Sequence, residues 1–146
     1  MIKYILFLSL TVMISLPAMS QAGSPDNSFG TNGRLNIPMG AFDDFAHAVA
    51  VQADGKIVIA GYSRITEIGS GNRHDFSIAR LNPDGTLDNS FDADGKVIVP
   101  VGDFGGFAYA VKIQPDGKIL VAGAAINTND QDYVVVRLNG DGSLDN

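Results

Sequence analysis

The sequence predicts an all-β protein made of two tandem repeats, each contributing short antiparallel strands. The 146 residues include 15 Asp, a single Glu and 17 Gly, which favours tight turns over helices. After residue 22 there are 21 Val and Ile residues against 6 Leu, a bias typical of pleated strands. Residues 46–61 recur at 108–123 with 10 of 16 positions identical, so the chain repeats itself.

The first 22 residues have the pattern of a secretory signal peptide. Lys3 precedes an apolar run over Tyr4–Leu16, and small residues suit cleavage after Ser20 or Ala22. The run of 13 residues is shorter than the roughly 20 needed to span a bilayer. The sequence therefore predicts export to the periplasm, cell surface or medium, with no membrane span after the signal is removed.

The remaining residues divide into two repeats, 23–87 and 88–146, and each predicts four strands. Asp-Gly turns separate them, as at Pro83-Asp84-Gly85 and Pro115-Asp116-Gly117, which favours antiparallel hairpins. The predicted strands are Gly33–Met39, Ala46–Gln52, Lys56–Tyr62 and Asp75–Asn82 in the first repeat, and Gly95–Val101, Ala108–Gln114, Lys118–Ala124 and Asp132–Asn139 in the second.

Both faces of the predicted strands are apolar. In Lys56–Tyr62, Ile57 and Ile59 lie on one face while Val58 and Ala60 lie on the other. A simple antiparallel sheet exposes one polar face, whereas sheets stacked as blades around an axis are covered on both sides. The pattern predicts four-stranded blades of a β-propeller, two of which are present; a β-sandwich is the alternative.

The repeated motifs are long and ordered. Leu-Asp-Asn-Ser-Phe (87–91), Gln-Pro-Asp-Gly-Lys-Ile-Leu-Val-Ala-Gly (114–123) and Val-Arg-Leu-Asn-x-Asp-Gly-Ser-Leu-Asp (136–145) follow one another along the chain. The series resembles the delta-60 repeat family over nearly all of residues 26–146. The resemblance implies an exported bacterial protein with a propeller fold, and it implies no catalytic activity, ligand or partner.

Two blades are fewer than the four to eight or so that close a propeller. The second repeat stops at Leu144-Asp145-Asn146, the equivalent of Leu87-Asp88-Asn89. We expect a truncated array, with a ring assembled from several copies as the alternative. Self-association through exposed blade faces is a corresponding expectation.

Composition excludes several functions. Without Cys the chain has no disulfides, thiolate catalysis or thiolate metal sites, and its net charge of −6 argues against nucleic-acid binding. The turn at Asp92–Gly95 lacks the Glu that ends an EF-hand loop, and the only two His form no catalytic spacing. We therefore predict no catalytic residues, no cofactor and no metal site.

Repetition marks the scaffold, so a binding site is expected where the repeats differ. The first repeat carries a longer polar loop over residues 62–74, and we predict ligand contacts from Arg64, Glu67, Arg73 and His74. The sequence predicts a binding or scaffolding module at the cell envelope, with an unidentified protein or glycan as partner. The alternative is a propeller enzyme of the hydrolase or lactonase type, whose active site would lie in missing blades.

Overall fold

The computed structural model describes residues 23–66 and 72–146, which contain seven strands and no helix. The predicted signal peptide and Glu67 lie outside the described residues. Within them, no helix is long and apolar enough to cross a membrane. The strands are β1 (Asp44–Val51), β2 (Ile57–Arg64), β3 (His74–Leu81), β4 (Lys96–Val99), β5 (Gly106–Ile113), β6 (Ile119–Ile126) and β7 (Gln131–Leu138).

The strands form two antiparallel sheets, which confirms the all-β, partial-propeller prediction. Sheet 1 has the order β1-β2-β3-β4 and sheet 2 the order β5-β6-β7. The Asp-Gly turns close the hairpins as predicted: Gly55 adopts φ +85°, and its N–H donates to the carbonyl of Gln52 at 3.0 Å. Glycine is favoured there because a side chain would be strained at positive φ.

Sheet 1 takes its fourth strand from the second repeat. β4 pairs with β3 from Phe76 opposite Val99 to Ala79 opposite Lys96. The prediction that each repeat folds into its own four-stranded meander was wrong in this respect. A strand pairs with whichever edge lies beside it, and the edge beside β4 belongs to the preceding repeat.

The predicted strand Gly33–Met39 is not a strand. Only isolated bridges, joining Gly30 and Thr31 to Arg34, occur there. By the repeat of 62 residues, Arg34–Ile37 corresponds to β4. Its backbone has no sheet edge beside it within the described residues, and an unpaired segment is not a strand.

The core lies between the two sheets. Sheet 1 contributes Val58, Phe76 and Ile78, and sheet 2 contributes Ile119 and Val121, all fully buried. β5 packs across β1, β2 and β3 of the first sheet. Apolar burial between faces is therefore what joins one blade to the next.

Candidate functional site

Three of the predicted loop residues, Arg64, Arg73 and His74, lie in the described part of the chain and make contacts there. Arg73 holds Asp75 through Nε and Nη2 at 3.1 and 3.0 Å, and its Nη1 donates to the carbonyl of Asp103. Arg64 pairs with Asp43 at 3.2 Å. His74 is the cross-strand partner of Arg64, and its ring belongs to the ring cluster described below.

A carboxylate and an arginine recur in the two repeats, as Asp75 and Arg80 and as Asp132 and Arg137. Asp75 and Arg80 do not pair with each other. Arg80 is 4% exposed and pairs with Asp88, whose exposure is 6%, over 2.7 Å. Its Nη1 also donates to the carbonyl of Gly140, and its guanidinium lies 4.7 Å from the centre of the Phe91 ring. This arginine connects the two repeats and is structural.

Asp88 is the centre of that network. It accepts hydrogen bonds from Lys56 Nζ at 2.9 Å and from Ser90 Oγ at 2.7 Å, besides the bond from Arg80. Burial raises the pKa of Asp88, but the bonds from Lys56 and Ser90 and the charge of Arg80 outweigh it. The pKa of Asp88 is therefore held well below its usual value of 3.8.

Six aromatic and imidazole rings meet where the first strands of the two sheets approach each other. We call these rings the aromatic cluster: Phe45, His47, Tyr62, His74, Phe107 and Tyr109. Both histidines of the chain belong to it. Its members come from β1, β2, β3 and β5, so the cluster spans both sheets.

Tyr62 lies at the centre of the aromatic cluster. Phe45 and His47 stack on it with ring centroids at 4.9 and 5.1 Å, while His74 and Phe107 approach edge-on at 5.4 and 4.7 Å. Such offset and edge-to-face arrangements are favoured by the ring quadrupole. Neighbouring rings therefore hold one another in place.

Two matching irregularities place rings in this cluster. The register between β1 and β2 shifts between Ala46 and Ala48, which makes His47 the extra residue. The register between β5 and β6 shifts at the equivalent place, and Tyr109 is the extra residue there. Bulges re-aim a side chain, and these two rings contact each other at 5.5 Å.

The cluster is partly open to solvent. Phe45 is 46% exposed and Tyr109 is 53% exposed, although both belong to a packed group of rings. Within the described residues, no group of three or more His, Cys, Asp or Glu side chains could hold a metal. The surface thus offers flat rings, two imidazoles and two phenol hydroxyls.

A cavity of about 660 Å³ lies under the segment Leu35–Met39, and Phe45 of the aromatic cluster contributes to its lining. Its floor includes Ile59, Gly61 and Ser77. Asp44 also lines it: one carboxylate oxygen accepts the N–H of Met39 at 2.9 Å, while the other is buried without a partner among the described residues.

The sequence matches the profile of the domain of unknown function (DUF5122) β-propeller family at residues 52–91 and 114–146, which together make half of the chain. The chain belongs to this β-propeller family. Each matched segment begins in the turn before the second strand of a sheet and continues through the third strand into the turns that follow. Among curated proteins, none matches this chain.

Sequence reasoning missed the aromatic cluster. Phe76 and Phe91 recur in the second and first repeats as Tyr133 and Phe29, and both are fully buried, as packing between blades requires. The sequence reasoning gave no site to Phe45, Tyr62 or Tyr109. The sequence does show a ring at the same position of each repeat, His47 and Tyr109. It does not show that both positions are bulges.

Proposed function

We propose that this chain is an exported binding module of the cell envelope and that the aromatic cluster is its ligand surface. The observation that carries the proposal is the partial exposure of rings that are already held by their neighbours. An exposed apolar ring costs free energy in water, and a ligand that covers it recovers that cost. The propeller supplies the rigid frame, as these scaffolds commonly do.

The composition of the cluster supports a role in binding that is separate from the packing shared by the blades. Two of its rings have no ring at the equivalent positions of the second repeat, since Tyr62 corresponds to Ala124 and His74 to Gln131. Rings needed only to join one blade to the next would recur in each repeat, as Phe76 and Tyr133 do. The cluster is therefore specific to this one junction.

The chemistry of the surface favours a glycan. Flat rings such as Phe45 stack on the C–H faces of a sugar, while the imidazole of His47 and the hydroxyl of Tyr109 exchange hydrogen bonds with sugar hydroxyls. A negative charge of −6 on the whole chain disfavours acidic polymers. A neutral or amino-sugar glycan of the envelope fits best, and a protein ligand is the competing outcome.

Binding is tested by titrating soluble cell-wall oligosaccharides and following tyrosine emission, since the chain has no Trp. We expect Phe45→Ala and Tyr109→Ala each to weaken binding about tenfold, as the loss of one stacked ring of ~1–1.5 kcal/mol implies. The control is Phe104→Ala, a ring that is 54% exposed and outside the cluster. Equal loss in all three variants would overturn the assignment.

Export is tested separately, by mass spectrometry of the protein recovered from bacterial cell fractions. We expect an N-terminus at Gln21 or Gly23, in the periplasm or medium. A product that begins at Met1 in the cytosol would contradict export. It would leave the glycan measurement unaffected, so the two parts of the proposal can fail independently.

A further inference from the structure

The two sheets expose the counterparts of the surfaces that they bury against each other. Phe76 and Ile78 on β3 are 0% exposed because they pack on sheet 2. Their equivalents on β7, Tyr133 and Val135, are 100% and 63% exposed. Sheet 2 therefore presents an open face, carried by Tyr133, Val135 and Arg137, that matches the buried face of sheet 1.

Sheet 1 has the complementary face, carried by Val49, Ile59, Gly61 and Ser77. We call it the open face of sheet 1 because Val49 is 65% exposed and the cavity lies against it, while Gly61 and Ser77 are buried at the cavity floor. Strand pairing places these residues on one side, since Val49 lies opposite Ile59 and Gly61 lies opposite Ser77. The equivalent of Val49 is Val111, which packs against the core, whereas Val49 is 65% exposed.

A glycine makes the existing contact possible. A Cβ atom on Gly123 would lie 2.0 Å from the carbonyl oxygen of Phe107 and 2.8 Å from Cζ of Phe76, so the β5 backbone requires this glycine, and the glycine also leaves room for the phenyl ring. Gly61 is the equivalent of Gly123 and lines the cavity of about 660 Å³. Tyr133 is the equivalent of Phe76. The exposed ring of Tyr133 and the cavity beside Gly61 are therefore the counterparts of Phe76 and Gly123, which already contact each other within the chain.

We propose that the open face of sheet 2 docks on the open face of sheet 1 of a second copy of this chain. Tyr133 then enters the second copy's cavity beside Gly61, repeating the contact of Phe76 with Gly123. This inference goes beyond the proposed function and does not rest on it.

The same arrangement completes sheet 2. Arg34–Ile37 is the counterpart of β4, and it already lies over the open face of sheet 1, where Lys96 Nζ donates to the carbonyl of Pro38 at 3.2 Å. In the assembly, this segment of the second copy lies beside β7 of the first copy, as β4 lies beside β3 within one chain. The register of the β3–β4 pair then places Ile37 of the second copy opposite Tyr133.

Arg137 adds direction to the contact. Its equivalent, Arg80, reaches across the junction to the carbonyl of Gly140 and the ring of Phe91. The side chain of Arg137 is 48% exposed and held at its Nε by Asp145. In the assembly its remaining N–H groups meet the carbonyl of Pro83 and the ring of Phe29 of the second copy.

The contact joins two different surfaces, so it is heterologous and propagates from copy to copy. With two blades in each copy, closure into a propeller of about four to eight blades takes two to four copies. We expect the purified chain to have a discrete mass of two to four protomers. A protomer mass at all concentrations up to ~100 μM, a range in which most specific contacts form, would overturn the proposal.

Two single-face variants test the surfaces. Val135→Asp places a charge on the open face of sheet 2, and Val49→Asp places one on the open face of sheet 1. Each is expected to be a folded monomer, because both side chains are largely exposed in the single chain. Phe104→Asp, which lies on neither face, is the control and is expected to assemble like the unaltered chain.

Mixing the two variants decides between this contact and a symmetric one. Each variant keeps one intact face, so an equimolar mixture should form a heterodimer and nothing larger. A mixture that stays monomeric would contradict the proposal, as would assembly of either variant alone. Circular dichroism of each variant confirms that loss of assembly is not loss of folding.

Discussion

Replacing Asp88 by Asn removes the negative charge that balances two cations at the junction of the repeats. Arg80, at 4% exposed, then keeps its charge with no carboxylate beside it. The carbonyl oxygen of the Asn amide can still accept a hydrogen bond. Its NH₂ group cannot accept one, although it faces the N–H donors of Arg80 and Lys56. We therefore expect a large loss of stability from a change that leaves the shape of the side chain almost intact.

The size of this loss follows from burial. Breaking a buried ion pair costs about 3–5 kcal/mol, because the partner is left uncompensated. Lys56 is 28% exposed and can turn to water, so it adds little, and the lower end of the range applies. A loss of ~3 kcal/mol corresponds to a fall in Tm of about 12 °C for a domain of this size.

Asp145→Asn is the matched control, since Asp145 holds Arg137 and Lys118 as Asp88 holds Arg80 and Lys56. The side chain of Arg137 is 48% exposed, so water can replace the lost carboxylate. Both variants are unfolded in urea and by heat, in dilute solution, with far-ultraviolet circular dichroism as the signal. Equal losses in the two variants would refute the reasoning from burial.

The remaining predictions concern pH, backbone packing and the loop arginines. The folded pKa of Asp88 lies below its unfolded value near 3.8, so the stability that Asp88 contributes is complete above that pH and is lost as pH falls. In thermal melts from pH 7 to 2, the difference in Tm between the unaltered chain and Asp88→Asn should therefore shrink below about pH 4. Gly61→Ala would put a Cβ 1.8 Å from a carbonyl oxygen of β1 and should abolish cooperative melting, whereas Gly40→Ala meets nothing within 4 Å and should be neutral. Arg73→Ala should cost about 3 kcal/mol in urea unfolding because its carboxylate partner is buried, while Arg64→Ala, with an exposed partner, should cost less than about 1 kcal/mol; the reverse order would contradict the contacts.

The hairpins could be predicted from sequence because the determinants are local. At Gln52–Lys56 the turn residues, the positive φ of Gly55 and the flanking apolar strands lie within a few positions of one another. Apolar residues on both faces also indicated stacked sheets. Val58 and Ile59 lie on opposite faces, and one is fully buried against sheet 2 while the other lines the cavity.

Pairing between repeats could not be predicted in the same way. Arg34–Ile37 and Lys96–Val99 have the same pattern, yet only the second is a strand, because only it lies beside an open edge within the described residues. The aromatic cluster was missed for a similar reason. His47, Tyr62 and His74 converge through a bulge and through contact between sheets, and neither leaves a local pattern.

Hydrogen exchange of the backbone amides tests most directly the claim that each blade is completed by the repeat that follows it. At low concentration, β3 should be protected through its pairing with β4, while the outward amides of β7 and those of Leu35–Ile37 should exchange fast. At high concentration the second pair should become protected together, as one copy pairs with the next. Fast exchange of β7 at every concentration, or protection of β7 without Leu35–Ile37, would contradict the account.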